Sequence, residues 1–148
     1  MELRKILLGR GDFKSRDEIV DVLKNSSEGA GDDFANAETL LIFQTSSQQT
    51  WLVATNRALY CVLDDLNKDS TAVQWATSSA ELHRVGDHLA GVSAQDKNDR
   101  VGLLSIGKHK NWLYSKKLFA RDNVVNRLSR MVLSRMDSGA HSSLAERV

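Results

Sequence analysis

The residues best suited to chemistry in this 148-residue chain are six cations set close together: Lys108, His109, Lys110, Lys116, Lys117 and Arg121. Clustered cations raise the local potential by several kT, so the stretch is a candidate ligand or partner site for an anion or an acidic surface. Trp112 and Tyr114 alternate with Leu113 among them. Aromatic rings between lysines can stack on bases or sit at a membrane interface. A half-buried strand, with one face in a core, needs the same alternation. Lysines along a strand edge also prevent edge-to-edge pairing, which is the structural reading of the same residues.

The remaining reactive side chains form no set. His83, His88, His109 and His141 lack the spacing of a zinc site. The single cysteine, Cys61, lies in an apolar run, where an inert buried thiol is expected, and it can form no internal disulfide. Asp32-Asp33 and Asp64-Asp65 fall in polar segments and are expected to be solvated. A calcium site would need more oxygen ligands at defined spacing. Gly91-Val92-Ser93-Ala94-Gln95 lacks the second glycine of a nucleophile elbow. Gly9-Arg10-Gly11 and Gly29-Ala30-Gly31 do not continue into a phosphate loop. The chain therefore reads as non-catalytic, with no metal and no cofactor.

Charge is unevenly placed. Residues 1–99 hold 10 Lys+Arg against 16 Asp+Glu, while residues 100–148 hold 10 against 3, so −6 and +7 make up the net +1. Such asymmetry points either to an acidic partner, membrane surface or nucleic acid, or to an acidic half facing a basic helix within one fold. The length suits a single domain with one core, and 41% hydrophobic with 26% charged residues is ordinary for a globular chain. Ile6-Leu7-Leu8 is too short for a signal-peptide core, and no apolar run nears the roughly 20 residues of a membrane span. A cytoplasmic protein is expected. With no proline in the chain, turns must rest on Gly, Asn, Asp and Ser.

These groups would be positioned by a helix, a series of strands and a second helix. Ser15-Arg16-Asp17-Glu18 has the pattern of a capping box, followed by Ile19, Val20, Val22 and Leu23 at helical spacing. That helix should end near Asn25, before the small, acidic loop of residues 26–33. Leu3 to Leu8 fits a strand or a short helix. Seven strands are predicted: Thr39–Thr45, Thr50–Thr55, Ala58–Leu63, Thr71–Ala76, Ala90–Gln95, Val101–Ile106 and His109–Tyr114. A polar turn at Ser46-Ser47-Gln48-Gln49 joins the first two, and Glu81–Val85 fits either a short strand or a helical turn. Lys116–Met136 is predicted as the closing helix. Val124, Val125, Leu128, Met131, Val132 and Met136 share one side of it, with Arg127, Arg130 and Ser134 away from it. Leu133 falls off the apolar stripe. Residues 137–148 are small and polar and are expected to be a disordered tail.

Seven short strands closed by an amphipathic helix resemble the pleckstrin-homology (PH) superfold. The segment Trp51-Leu52-Val53-Ala54-Thr55-Asn56-Arg57-Ala58-Leu59-Tyr60-Cys61-Val62 resembles the strand–Thr-Asn-Arg–strand hairpin of bacterial PH-like and GRAM-type domains. Asn tolerates the left-handed backbone of a tight turn, which gives the motif a physical reason. The resemblance implies a mostly-β fold with α: a seven-stranded, partly open antiparallel barrel of two sheets over residues 38–136, capped by the C-terminal helix. Residues 1–37 would be an N-terminal extension with one helix. The loop between the first two strands is Ser46-Ser47-Gln48-Gln49, without the basic residues that lipid-binding members carry, so no phosphoinositide site is implied there.

The expected function is that of an interaction module for a protein partner. Docking would use an exposed strand edge or the groove beside the last helix. The N-terminal helix could fill such a groove in its own chain or in a neighbour, the latter giving a homodimer. The alternative is a peripheral anionic-lipid or nucleic-acid binder using the basic stretch 108–121.

Overall fold

The computed structural model describes residues 11–119 and 123–147, with the side chains of the last helix followed through Arg135. Helix α1 (Arg16–Lys24) precedes β1 (Glu38–Gln44), β2 (Gln48–Ala54), β3 (Ala58–Asp65) and β4 (Ser70–Ser78). Then come a short 3-10 turn (Ser79–Glu81), β5 (Arg84–Val85), β6 (His88–Leu89), β7 (Val92–Asp96), β8 (Val101–Ile106), β9 (His109–Ser115) and α2 (Val124–Arg147). The strands make three antiparallel sheets: the meander β1-β2-β3-β4, the small hairpin β5-β6 and the meander β7-β8-β9. The described residues are mostly β with two helices. Among the described residues no ladder joins the four-stranded to the three-stranded sheet, so a closed barrel is absent, although β1 runs close to β9.

Burial follows the two-residue period of the strands. In β2 and β3, Leu52, Ala54, Leu59 and Cys61 point into the main core, while Trp51, Val53, Tyr60 and Val62 point to the opposite face. Both faces of the four-stranded sheet are therefore covered, and its central strands read as nearly continuous apolar runs. The inner face packs on Leu104, Ile106 and Tyr114 of the three-stranded sheet and on Val124, Leu128 and Val132 of α2. The outer face is covered by Ile19 and Leu23 of α1 and by Phe34. Burying each large aliphatic contributes about 1.5–3 kcal/mol, so both helices belong to the folded unit.

Local chemistry sets the element ends. The capping box of α1 is formed: the Glu18 amide donates to Ser15 Oγ (3.3 Å) and the Ser15 amide to Glu18 Oε1 (3.0 Å). Gly107, at φ 57°, takes the left-handed backbone needed to turn β8 into β9. Gly102 in β8 faces Tyr114 so closely that a Cβ would lie 2.3 Å from the Tyr114 ring.

Several expectations are corrected. The turn between β1 and β2 is shorter than predicted, because Gln48 and Gln49 belong to β2 and bond Asp65 and Gln44. Glu81–Val85, read as either a short strand or a helical turn, holds the end of the 3-10 turn and strand β5, which pairs with the unpredicted β6; the strand predicted at Ala90–Gln95 is β7, Val92–Asp96. Helix α2 begins at Val124 rather than Lys116, since Lys116–Leu118 turn away from β9 and Phe119 packs on Tyr114. It continues to Arg147 through the stretch read as a disordered tail. Once a helix is nucleated by a packed face, adding residues costs little. Leu133, off the predicted stripe, packs at the margin of the main core, and the Met136 side chain lies outside those described.

Three of the four paired acids are the largest correction; Asp33 is exposed, as expected. Asp64 is fully buried and Asp65 nearly so, at the end of β3. Asp64 accepts bonds from the Lys14 amide and the Thr71 hydroxyl, both at 2.9 Å. Asp65 accepts from Gln48 Nε2 (2.9 Å), which holds its carboxyl below the usual range. Asp32 accepts from Thr55 Oγ1 (2.7 Å) and the Tyr60 hydroxyl (2.5 Å). These acids are fasteners: donors such as the Lys14 amide, Gln48, Thr55 and Tyr60 come from chain segments too distant for local spacing to reveal.

Candidate functional site

The Thr55-Asn56-Arg57 turn is structural. Thr55 Oγ1 accepts from the amides of Arg57 (3.2 Å) and Ala58 (3.1 Å), closing the hairpin. Arg57 Nη1 donates to the Gly31 carbonyl (2.8 Å), beside the Asp32 bonds to Thr55 and Tyr60. Burial, and then its bond to Asp32, push the Tyr60 phenol far above its ordinary value. The hairpin thus clamps the segment after α1 onto the sheet.

The predicted cations do not converge. Lys108 and Lys110 are exposed at the β8–β9 turn, where two β9 residues, Lys110 and Asn111, bulge opposite Ser105. His109 stacks on Trp75 at 4.4 Å and 9° between planes. Burial, and then Lys108, lower its pKa below the ordinary value. At the far end of β9, Lys116 is buried and pairs with Asp96 at 3.0 Å. Lys117 is exposed beside it, in a cleft of about 550 Å³ shared with Asp99, Arg100 and Ser115. With about 3.4 Å per strand residue, the two ends lie roughly 20 Å apart. Arg121 lies outside the described residues. Trp112 is half-buried and meets Trp75 edge-on at 5.9 Å, and Tyr114 is buried, so both aromatics serve packing. Cys61 is buried too, and burial pushes its thiol up to about 12.

The side chains that do converge are the three set aside as the polar face of the last helix, Arg127, Arg130 and Ser134, joined by Met131 from the edge of its apolar stripe. Arg127, Arg130, Met131 and Ser134 recur at i, i+3, i+4 and i+7 on α2, so they share one face. With Glu38 at the start of β1 they line an open groove of about 570 Å³. Arg135 reaches Glu38 at 2.9 Å and neutralises it. Arg127 lies 5.7 Å from the centroid of the Phe119 ring, a cation–π contact that holds the guanidinium over the groove end. Arg130 is exposed and has no ion-pair partner among the described residues. The sequence carried the spacing, but nothing in it placed β1 beside this helix face.

Chemically, this groove offers two guanidinium groups and one half-buried apolar side chain, Met131. It contains no nucleophile–base pair and no group arranged for proton transfer. No cluster of three or more metal-ligating side chains occurs among the described residues. No described helix is long and apolar enough to cross a membrane. No protein-family model matches the chain, and no curated protein or solved structure matches it either.

Proposed function

We propose that this protein is a non-catalytic interaction module on a PH-like scaffold, and that it binds a protein segment in the groove between α2 and β1. Two meanders of four and three strands, followed by a helix seated on the inner core, support the PH-like reading. The observation that carries the function is the run Arg127, Arg130, Met131, Ser134 along one open helix face against Glu38. Arginine is among the residues enriched in binding hot spots.

Strand addition is the weaker docking mode here. Edge strand β4 bulges at Gln74, and β9 bulges at Lys110–Asn111. Bulges blunt an edge as a pairing template. Edges β1 and β9 lie along each other, and β7 lies against α2. The anionic-lipid or nucleic-acid alternative loses support from the separation of its cations and from the pairing of Lys116 with Asp96.

The test is selection of a displayed random-peptide library on the immobilised full chain, with the best binder mapped by amide-signal perturbation. The expected result is perturbation along α2 and β1, with no co-sedimentation on anionic vesicles at low salt. Binders that map to the β8–β9 turn, or strong vesicle binding, would overturn the reading.

A further inference from the structure

Resting on the docking reading above, the geometry points to the chemical class of the occupant: we infer that the groove takes an acidic protein segment with carboxylates one helical turn apart. The groove has three arginines at or beside it, and only Arg135 is matched internally, by Glu38. Arg127 is engaged with a ring face and keeps its charge uncompensated. Arg130 is exposed, and neither arginine has a carboxylate partner among the described residues. Three residues apart on a helix, their Cβ atoms lie about 5–6 Å from each other. That separation matches side chains at i and i+3 or i+4 of a partner helix.

Arginine forks prefer planar, bidentate acceptors, and both carboxylate and phosphate qualify. Two features favour the carboxylates of a protein. Met131 lines the groove beside both arginines and offers an apolar contact to an aliphatic side chain between the acids. The other cations that a nucleic acid or membrane would need, Lys108, Lys110 and Lys117, stand on β-sheet ends and not along this helix face.

The experiment runs the peptide selection in parallel on the wild-type chain and on Arg127→Glu/Arg130→Glu. Arg130→Glu alone is a second variant, because its exposed side chain can be reversed without disturbing the Phe119 contact. The wild-type pool should be enriched in Asp and Glu spaced three or four apart, and the reversed pool in Lys and Arg. A wild-type-selected peptide should bind the double variant about tenfold more weakly, two exposed ion pairs having been turned repulsive. Its affinity should fall with salt, and Lys108→Glu/Lys110→Glu should leave it unchanged.

Groove binders without acidic enrichment, or identical pools from both proteins, would overturn this inference and leave the docking reading standing. No groove binder at all would remove both. Anionic vesicles or an oligonucleotide that bind wild type and lose affinity for Arg130→Glu would overturn the carboxylate assignment in favour of phosphate.

Discussion

The two faces of the four-stranded sheet are built on different rules. On the outer face, polar groups are satisfied and act as fasteners. Asp64 holds the Lys14 amide just ahead of α1, and Asp32 takes the Thr55 and Tyr60 hydroxyls just after it. The thin apolar layer of Ile19, Leu23 and Phe34 is thereby pinned at both ends. On the inner face the cover is almost purely apolar, and its few polar atoms are idle. Trp75 Nε1, Thr77 Oγ1 and His109 Nε2 are buried without a hydrogen-bond partner. A small apolar layer needs directional bonds to fix it, whereas a large one tolerates unmade bonds, because each costs less than the packing around it contributes.

The sharpest way to break this contrast is to cut into the inner face. Leu128→Ala removes a fully buried side chain from α2 and should cost about 3–5 kcal/mol in denaturant unfolding. An effect below about 1 kcal/mol would mean that α2 is not seated there. Asp64→Ala on the outer face should cost about 2–3 kcal/mol, by leaving a backbone amide and a hydroxyl without their acceptor. Hydrogen exchange should show faster opening of α1 in that variant and little change in β7–β9.

Two substitutions of about 1 kcal/mol sharpen the comparison with opposite signs. Thr77→Val replaces an unpartnered buried hydroxyl by a methyl and should raise stability by about 1 kcal/mol. Ser15→Ala removes the N-cap of α1 and should lower it by about 1 kcal/mol. A loss on Thr77→Val would place a bond on the inner face and dissolve the contrast.

The smallest effect is that of pH at His109, whose folded pKa lies below the ordinary 6.5. Between the two values the unfolded chain binds more protons than the folded one, so stability rises with pH there. The contribution is complete above about pH 6.5 and declines as pH falls through the folded value. Comparing unfolding midpoints at about pH 8 and about pH 5.5, the wild type should lose more than His109→Phe, which keeps a ring on Trp75.

Much of the architecture could be read along the chain. The Ser15–Glu18 capping box, the Thr55–Ala58 hairpin and the stripe of Val124, Leu128 and Val132 each report on residues within a turn or two of themselves. The roles of the charges could not be read in that way. Asp64 and Lys14 are 50 positions apart, and Asp32 and Tyr60 are 28 apart. Lys116, one of the predicted cations, has a side chain only 8% exposed and is paired with Asp96, 20 positions earlier. The groove went unread for the same reason: Arg127 and Arg130 were visible as a polar helix face, but Glu38 lies 89 residues before Arg127.

By itself, the sequence determined that the chain is mostly β with a capped helix before the strands and an amphipathic one after them. Period and capping are short-range, so the physics that sets them acts within a few residues. Tertiary structure alone decided which charges are buried fasteners, which are idle and which face an open groove. That outcome depends on desolvation and on partners brought together across the fold.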